Sequence, residues 1–344
     1  MSRDAPITVM IAGMAGASLG TEIAKALAAA GGYHVLGCDI SPLAYGHFDA
    51  HFAETFLAER DDYVASVLRL CRAAGVEVLI PGGDQPAALL APAAARFAEA
   101  GIRIAQNAPE VVAVATENTR CFEILGAAGV PIPMTRGIAA PGDIAGFPTP
   151  CVIKPSSASG GSAFVFFARD PGEAELYCAY LLRNGIAPVA QAYVPVEGGE
   201  FTVGVLSDPD GSVVGVIALR RAFTSKLSVL ARGPDFLISS GYTQGRIEPF
   251  PEVCAAARDI AETLGSRGPL NVQGRVDPDG RFVPFEINPR FSASTYLRTL
   301  AGFNEVDHFL RRLTGRPPAA PLGLRPGWYL RSLTETVTPD EKRT

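Results

Sequence analysis

Histidine is scarce in this 344-residue chain. There are four, His34, His47, His51 and His308, and their spacing forms neither a metal-ligand set nor part of a Ser/His/Asp constellation. The six cysteines (Cys38, Cys71, Cys121, Cys151, Cys178, Cys254) include no Cys-x-x-Cys pair, so they read as reduced core residues of a cytoplasmic protein. No apolar run approaches the roughly 20 residues of a membrane helix. Met1 leads through Ser-Arg-Asp-Ala-Pro straight into a strand, so no secretory leader is expected. Positive charge is not in excess: 30 Lys and Arg stand against 35 Asp and Glu, a net charge of −5 that leaves no footprint for nucleic acid.

Apolar residues are abundant, at 48% against 19% charged, enough for large cores and for two or three domains. In the first third, strands and helices alternate. Strands are expected at Ile7–Ala12, Tyr33–Asp39, Val76–Ile80 and Ile102–Ala105, with helices from Glu22, over 61–74 and over 86–100. That order predicts a parallel, doubly wound sheet. Gly13, Gly16 and Gly20 follow the first strand, but as Gly-x-x-Gly-x-x-x-Gly rather than the dinucleotide-binding Gly-x-Gly-x-x-Gly. Asp84, after Gly82-Gly83 at a strand's carboxyl end, is either a substrate contact or a helix cap.

The chemistry is concentrated further on. Phe282-Val-Pro-Phe-Glu286-Ile-Asn288-Pro-Arg290 reads as a strand with Glu286, Asn288 and Arg290 on one face and Phe285, Ile287 and Pro289 on the other. A carboxylate beside an amide oxygen suits Mg²⁺, and an arginine two residues on suits a phosphate. Asp277-Pro-Asp-Gly280 predicts a hairpin that lays Gln273 beside Glu286. Earlier, the apolar strand ending Ile153-Lys154-Pro155 delivers a lysine to a Ser/Gly-rich turn, Ser159-Gly160-Gly161-Ser162, whose small side chains and free N–H groups suit phosphates. The stretch 222–244 has no periodicity and carries Lys226 and Arg232, just after Arg220 and Arg221. Loops of that length are usually functional or disordered.

On these residues the chain resembles the ATP-grasp superfamily, most nearly the carbamoyl-phosphate-synthetase-like branch, where a Gln, a Glu and Asn-Pro-Arg hold the places of Gln273, Glu286 and Asn288-Pro289-Arg290. The likeness covers most of the chain. It implies an α/β protein with a doubly wound parallel-sheet (pre-ATP-grasp) domain over 1–115, followed by a two-lobed α+β ATP-grasp domain. The N-terminal lobe is expected over 116–195, the C-terminal catalytic lobe over 196–333 and a polar tail over 334–344. Gln273, Glu286 and Asn288 are expected to hold Mg²⁺ (or Mn²⁺). Lys154, Arg290 and Arg275 are expected as catalytic cations. Lys154 with Ser159, Gly160, Gly161 and Ser162 would enclose the ATP phosphates, as a lid that orders with nucleotide. Gln191, Ala192, Tyr193 and Val194 would form the hinge that reads adenine. Glu200 would bind the ribose hydroxyls, with Glu197 as its runner-up. The family's basic residue near the start of the Glu117 helix falls on Asn118, a departure from the pattern, and Arg120 is expected to replace it. Asp84 would lie on the acceptor-substrate side.

The activity implied is an ATP-dependent carboxylate–amine ligase that forms an amide through an acyl phosphate and releases ADP and phosphate. Its partners would be a small-molecule carboxylate donor and an amine acceptor, amino acids or small organic acids, in the cytoplasm, with a homodimer as the default assembly. No second Lys-Pro…Gly-Gly block occurs, which argues against a duplicated synthetase. The rivals are an ATP-binding regulatory protein with weak or lost catalysis, and an NAD-dependent oxidoreductase built on the first domain.

Overall fold

The computed structural model describes residues 5–16, 18–157 and 164–337. The expected loop residues Ser159, Gly160, Gly161 and Ser162 therefore lie outside the described residues, as does most of the tail.

The chain opens as β1 (Ile7–Ala12), α1 (Leu19–Ala30), β2 (Tyr33–Asp39), β3 (Glu54–Leu57), α2 (Tyr63–Ala73), β4 (Val78–Pro81), α3 (Asp84–Leu90), α4 (Ala94–Glu99) and β5 (Arg103–Ile104). The strands form a parallel sheet in the order β3-β2-β1-β4-β5. β1 is central, and five of its six residues are buried, as a strand covered on both faces requires. The helix expected over 86–100 is broken in two. Pro92, in a short 3₁₀ turn at Ala91–Ala93, has no N–H to continue the α-helical ladder.

Next come α5 (Pro109–Ala115), α6 (Asn118–Ala127), β6 (Thr135–Gly137), β7 (Cys151–Pro155), β8 (Phe166–Ala168), α7 (Pro171–Arg183) and β9 (Pro188–Ala192). The strands form a four-stranded antiparallel sheet, β6-β9-β7-β8. The remainder runs β10 (Glu200–Ser207), β11 (Val213–Arg221), β12 (Val229–Arg232), β13 (Leu237–Ser239), β14 (Gly245–Ile247), α8 (Pro251–Thr263), β15 (Pro269–Val276), β16 (Phe282–Asn288), α9 (Thr295–Leu300), α10 (Glu305–Leu313) and β17 (Gly327–Tyr329). Its main sheet is antiparallel, β16-β15-β10-β11-β14-β17. The aperiodic stretch 222–244 contains the β12–β13 hairpin.

Two shared cores hold these parts in place. Ile7, Val9 and Ile11 of β1 pack in one cluster with Leu206, Phe291, Phe309 and Leu310, so the parallel sheet rests on the far end of the chain. Cys121, Phe122 and Leu125 of α6 pack with Phe201 and Val203 of β10 and with Val253, Ala257 and Ile260 of α8. The last three recur at i, i+4 and i+7, one face of a helix. This packing brings the end of β4, the Lys154 end of β7 and the β15–β16 hairpin to one place.

The glycines after β1 serve close packing of the chain on itself. Met14 is fully buried among them, a Cβ on Gly16 would meet Tyr45 Cβ at 2.9 Å, and one on Gly20 would meet the Gly13 carbonyl oxygen at 2.0 Å. Asp39, the acid a dinucleotide-binding fold would offer to a ribose, instead accepts from the N–H groups of Met14 (2.9 Å) and Ser41 (2.9 Å). With Asp39 committed to its own turn, this packing lends the oxidoreductase reading no support.

Candidate active site

One cavity of about 200 Å³ lies between the four-stranded and six-stranded sheets, with Asp84 at its far wall. Lys154, Gln191, Gln273, Glu286, Asn288 and Arg290 all line it. The register of β15 on β16 explains half of that set: Gln273 is directly opposite Glu286, and Asn271 opposite Asn288. The Gln273 amide donates to Glu286 Oε2 at 2.9 Å and the Asn288 amide to Oε1 at 3.3 Å.

A bulge corrects the expected alternation. Gly274 pairs with Pro284 and Gln273 with Glu286, leaving Phe285 as the extra residue between them. Phe285 therefore faces the cavity instead of turning away, and its carbonyl, out of the ladder, accepts from Lys154 Nζ at 2.7 Å. Lys154 also donates to Gln191 Oε1 at 3.0 Å. Burial pushes the Lys154 ammonium down to about 8, with the Glu286 carboxylate offsetting part of the fall.

The donor set fits a hard divalent cation. Gln273 and Asn288 now turn N–H toward Glu286. Rotating either amide presents its oxygen instead, since the two ends differ little in shape. One carboxylate leaves most of a six-ligand shell to water and phosphate, the usual arrangement for Mg²⁺ beside a nucleotide. Among the described residues no group of three His, Cys, Asp or Glu could hold a metal instead.

Glu200 and Arg275 are corrected. Glu200 has no exposed surface and does not line the cavity. Arg221 Nη1 donates to its Oε1 at 2.9 Å and Arg275 Nε to its Oε2 at 2.9 Å, so both oxygens are turned to buried guanidiniums. Arg275 is at the cavity wall but fully engaged: Nη1 donates to the Val194 carbonyl and Nη2 to the Leu237 carbonyl, each at 2.6 Å. It braces the hinge and the β13 hairpin rather than offering a free cation. Arg221 Nη2 likewise holds the Ser240 carbonyl at 2.7 Å.

Arg120 is also corrected. It is exposed on α6 and does not line the cavity; Asn118 does, donating to the Ser156 carbonyl at 3.0 Å. Arg220, Lys226 and Arg232 are exposed and off the cavity, as is Glu197. At the hinge, Ala192, Tyr193 and Val194 line the cavity, with the Ala192 N–H donating to Met134 O (2.9 Å) and the Tyr193 N–H to Pro150 O (3.2 Å).

Arg290 is held by Asp84, Nε to Oδ1 at 2.6 Å. Burial alone would raise the Asp84 carboxyl, but Arg290 holds it below the usual range. Sequence reasoning missed the network behind Asn288. Buried Arg298 donates to Asn271 Oδ1 (2.6 Å) and to Glu305 Oε1 (3.0 Å), and Thr202 also donates to Asn271 Oδ1 (2.9 Å). No local motif marks it; the one signal was a run of polar residues at inward strand positions.

Comparison with known proteins agrees with this geometry. The sequence profile of a family described as ATP-grasp in the biosynthetic pathway with Ter operon matches residues 193–336. No curated protein matches. Among solved structures, an ADP complex of N5-carboxyaminoimidazole ribonucleotide synthetase is similar with a TM-score of 0.68 and 19% identity, over 95% of this chain and 82% of that one. An L-amino acid ligase from Bacillus licheniformis gives 0.68 and 16%, over 94% and 78%. The biotin carboxylase domain of Hydrogenobacter thermophilus 2-oxoglutarate carboxylase, in complex with MgADP and bicarbonate, gives 0.65 and 17%, over 90% and 70%.

Proposed function

We propose that the chain is an ATP-dependent carboxylate–amine ligase of the ATP-grasp kind, a reading supported by the family match over residues 193–336 and by the fold it shares with the solved structures above. The observation that carries the reading is Lys154 of one sheet meeting the Glu286 hairpin of the other across a single cavity. A nucleotide there has a cation for its phosphates on one side and oxygen ligands for its metal on the other.

In this reading the γ-phosphoryl group of ATP passes to a substrate carboxylate oxygen, giving an acyl phosphate and ADP. An amine then attacks the acyl carbon, phosphate leaves, and the amine gives up a proton to form the amide. Mg²⁺ (or Mn²⁺), bound by Glu286 with Gln273 and Asn288, supplies neutralisation of phosphate charge. Lys154 holds the phosphates as a fixed point charge. The Glu200–Arg221–Arg275 cluster keeps the hinge and the 237–240 segment in place. No protein nucleophile is needed, because positioning and electrostatics carry the rate. The carboxylate and the amine are drawn from amino acids and small organic acids.

A coupled ADP-release assay with Mg·ATP tests this against amino and organic acids, singly and in pairs. ADP release that depends on one carboxylate and one amine is the expected result. ATP binding with no turnover across the panel would replace the ligase with a nucleotide-binding regulatory protein.

A further inference from the structure

Asp84 and Arg290 come from opposite ends of the sequence and meet in the cavity wall. Asp84 follows β4 of the parallel sheet, and Arg290 is two residues past Asn288. Their side chains are 16% and 13% exposed, and they are joined at 2.6 Å. Resting on the ligase reading above, we infer that this pair is the recognition site for an α-amino acid as the carboxylate donor, with its carboxylate on Arg290 and its ammonium on Asp84.

Position fixes which group goes where. A carboxylate held by Arg290 lies beside Glu286 and Asn288, where the phosphoryl group must arrive. The other charged groups at the cavity have partners that leave no acid for an ammonium: Lys154 is on Gln191 and Phe285, Arg275 on Glu200, and Glu286 is taken by two amides within the metal-ligand set. Asp84 is the acid that remains among the described cavity residues, which moves it from the acceptor side expected from the family resemblance to the donor.

Asp84 also works against simple acids. A purely anionic substrate brought to Arg290 meets a carboxylate already there, and like-charge contact of that kind is how sites reject a near analogue. A zwitterion removes the conflict, because it brings its own positive charge for Asp84 as it takes Arg290. The two side chains are in direct contact, so the ligand charges that replace them must be close together. The α-amino acid meets that condition; a carboxylate with a remote amine does not.

The test isolates the donor by using hydroxylamine as the amine. With Mg·ATP, the acyl phosphate is trapped as a hydroxamate when hydroxylamine nitrogen displaces phosphate. Amino acids are compared with their deaminated counterparts: alanine with propionate, leucine with 4-methylpentanoate, phenylalanine with 3-phenylpropanoate. At least one amino acid is expected to exceed its counterpart by about 10²-fold or more in kcat/KM, a floor below the roughly 10⁴-fold that a site built for a polar group can give against its absence. Asp84→Asn is expected to raise KM for that amino acid and to shrink the ratio to a few-fold. Equal turnover of acid and amino acid by the wild type overturns the inference whether or not the variant folds. So does an Asp84→Asn protein that loses both activities by one common factor, the mark of a tie between domains. Hydroxamate from simple acids alone overturns this inference and leaves the ligase standing; no hydroxamate from any acid overturns both.

Discussion

Two glutamates on neighbouring parts of one sheet show what separates a sealed carboxylate from one that faces a cavity. Glu200 on β10 is sealed: two guanidiniums occupy its oxygens at 2.9 Å and it has no exposed surface. Glu286 on β16 faces the cavity, and among the described residues its hydrogen bonds come from the N–H groups of two amides, at 2.9 and 3.3 Å. Both are acids at inward strand positions. The first is held by donors that cannot become acceptors. The second has partners that turn over, so its oxygens are free for a cation when one arrives.

Substitution should break the two in opposite ways. Glu286→Gln keeps the shape and removes the one negative charge in the ligand set. It should cost about 5 kcal/mol of transition-state stabilisation, between 10³- and 10⁴-fold in Mg²⁺-dependent ADP release, with little change in Tm. Wild-type turnover in that variant would remove Glu286 from the site. Glu200→Gln should do the reverse. It leaves two buried guanidiniums without their counter-charge, a loss of about 3–5 kcal/mol in stability, read as a fall in Tm of order 10 °C. An unchanged melting curve would show that the cluster carries no stability.

The same contrast marks what was legible in the sequence. Glu286 announced itself through local pattern: period-two spacing, and a turn at Asp277–Gly280 that fixes the hairpin register within one stretch of chain. Lys154 did so through its strand and the Lys-Pro step. Glu200 could not be read, because its partners are 21 and 75 residues away and meet it only once β10 lies between β11 and β15. A motif position carried over from a family says where a residue is, not what has been placed against it. The Asp84–Arg290 contact, 206 residues apart, was illegible for the same reason. The bulge at Phe285 did leave a trace: Pro284, which cannot donate to a ladder, is a residue that marks bulges and edges.

A smaller effect sharpens the comparison from the cationic side. Lys154 titrates near 8 because burial opposes its charge. Below that pH it is charged and ready for phosphate; above it, ATP must bring the proton back, so KM for ATP should rise by up to about tenfold per pH unit from 8 upward. Stability must move the other way. The folded-state pKa is below the unfolded value, so between the two the unfolded chain binds more protons, and the nucleotide-free protein gains stability as pH rises through 8. Opposite slopes for ATP affinity and for Tm over one pH window are the expected signature. Lys154→Arg should flatten both, since a guanidinium does not titrate there. ATP affinity that ignores pH between 7 and 9 in the wild type would mean that the ammonium facing Glu286 is not the group that holds the phosphates, and the two sheets would meet at this cavity for another purpose.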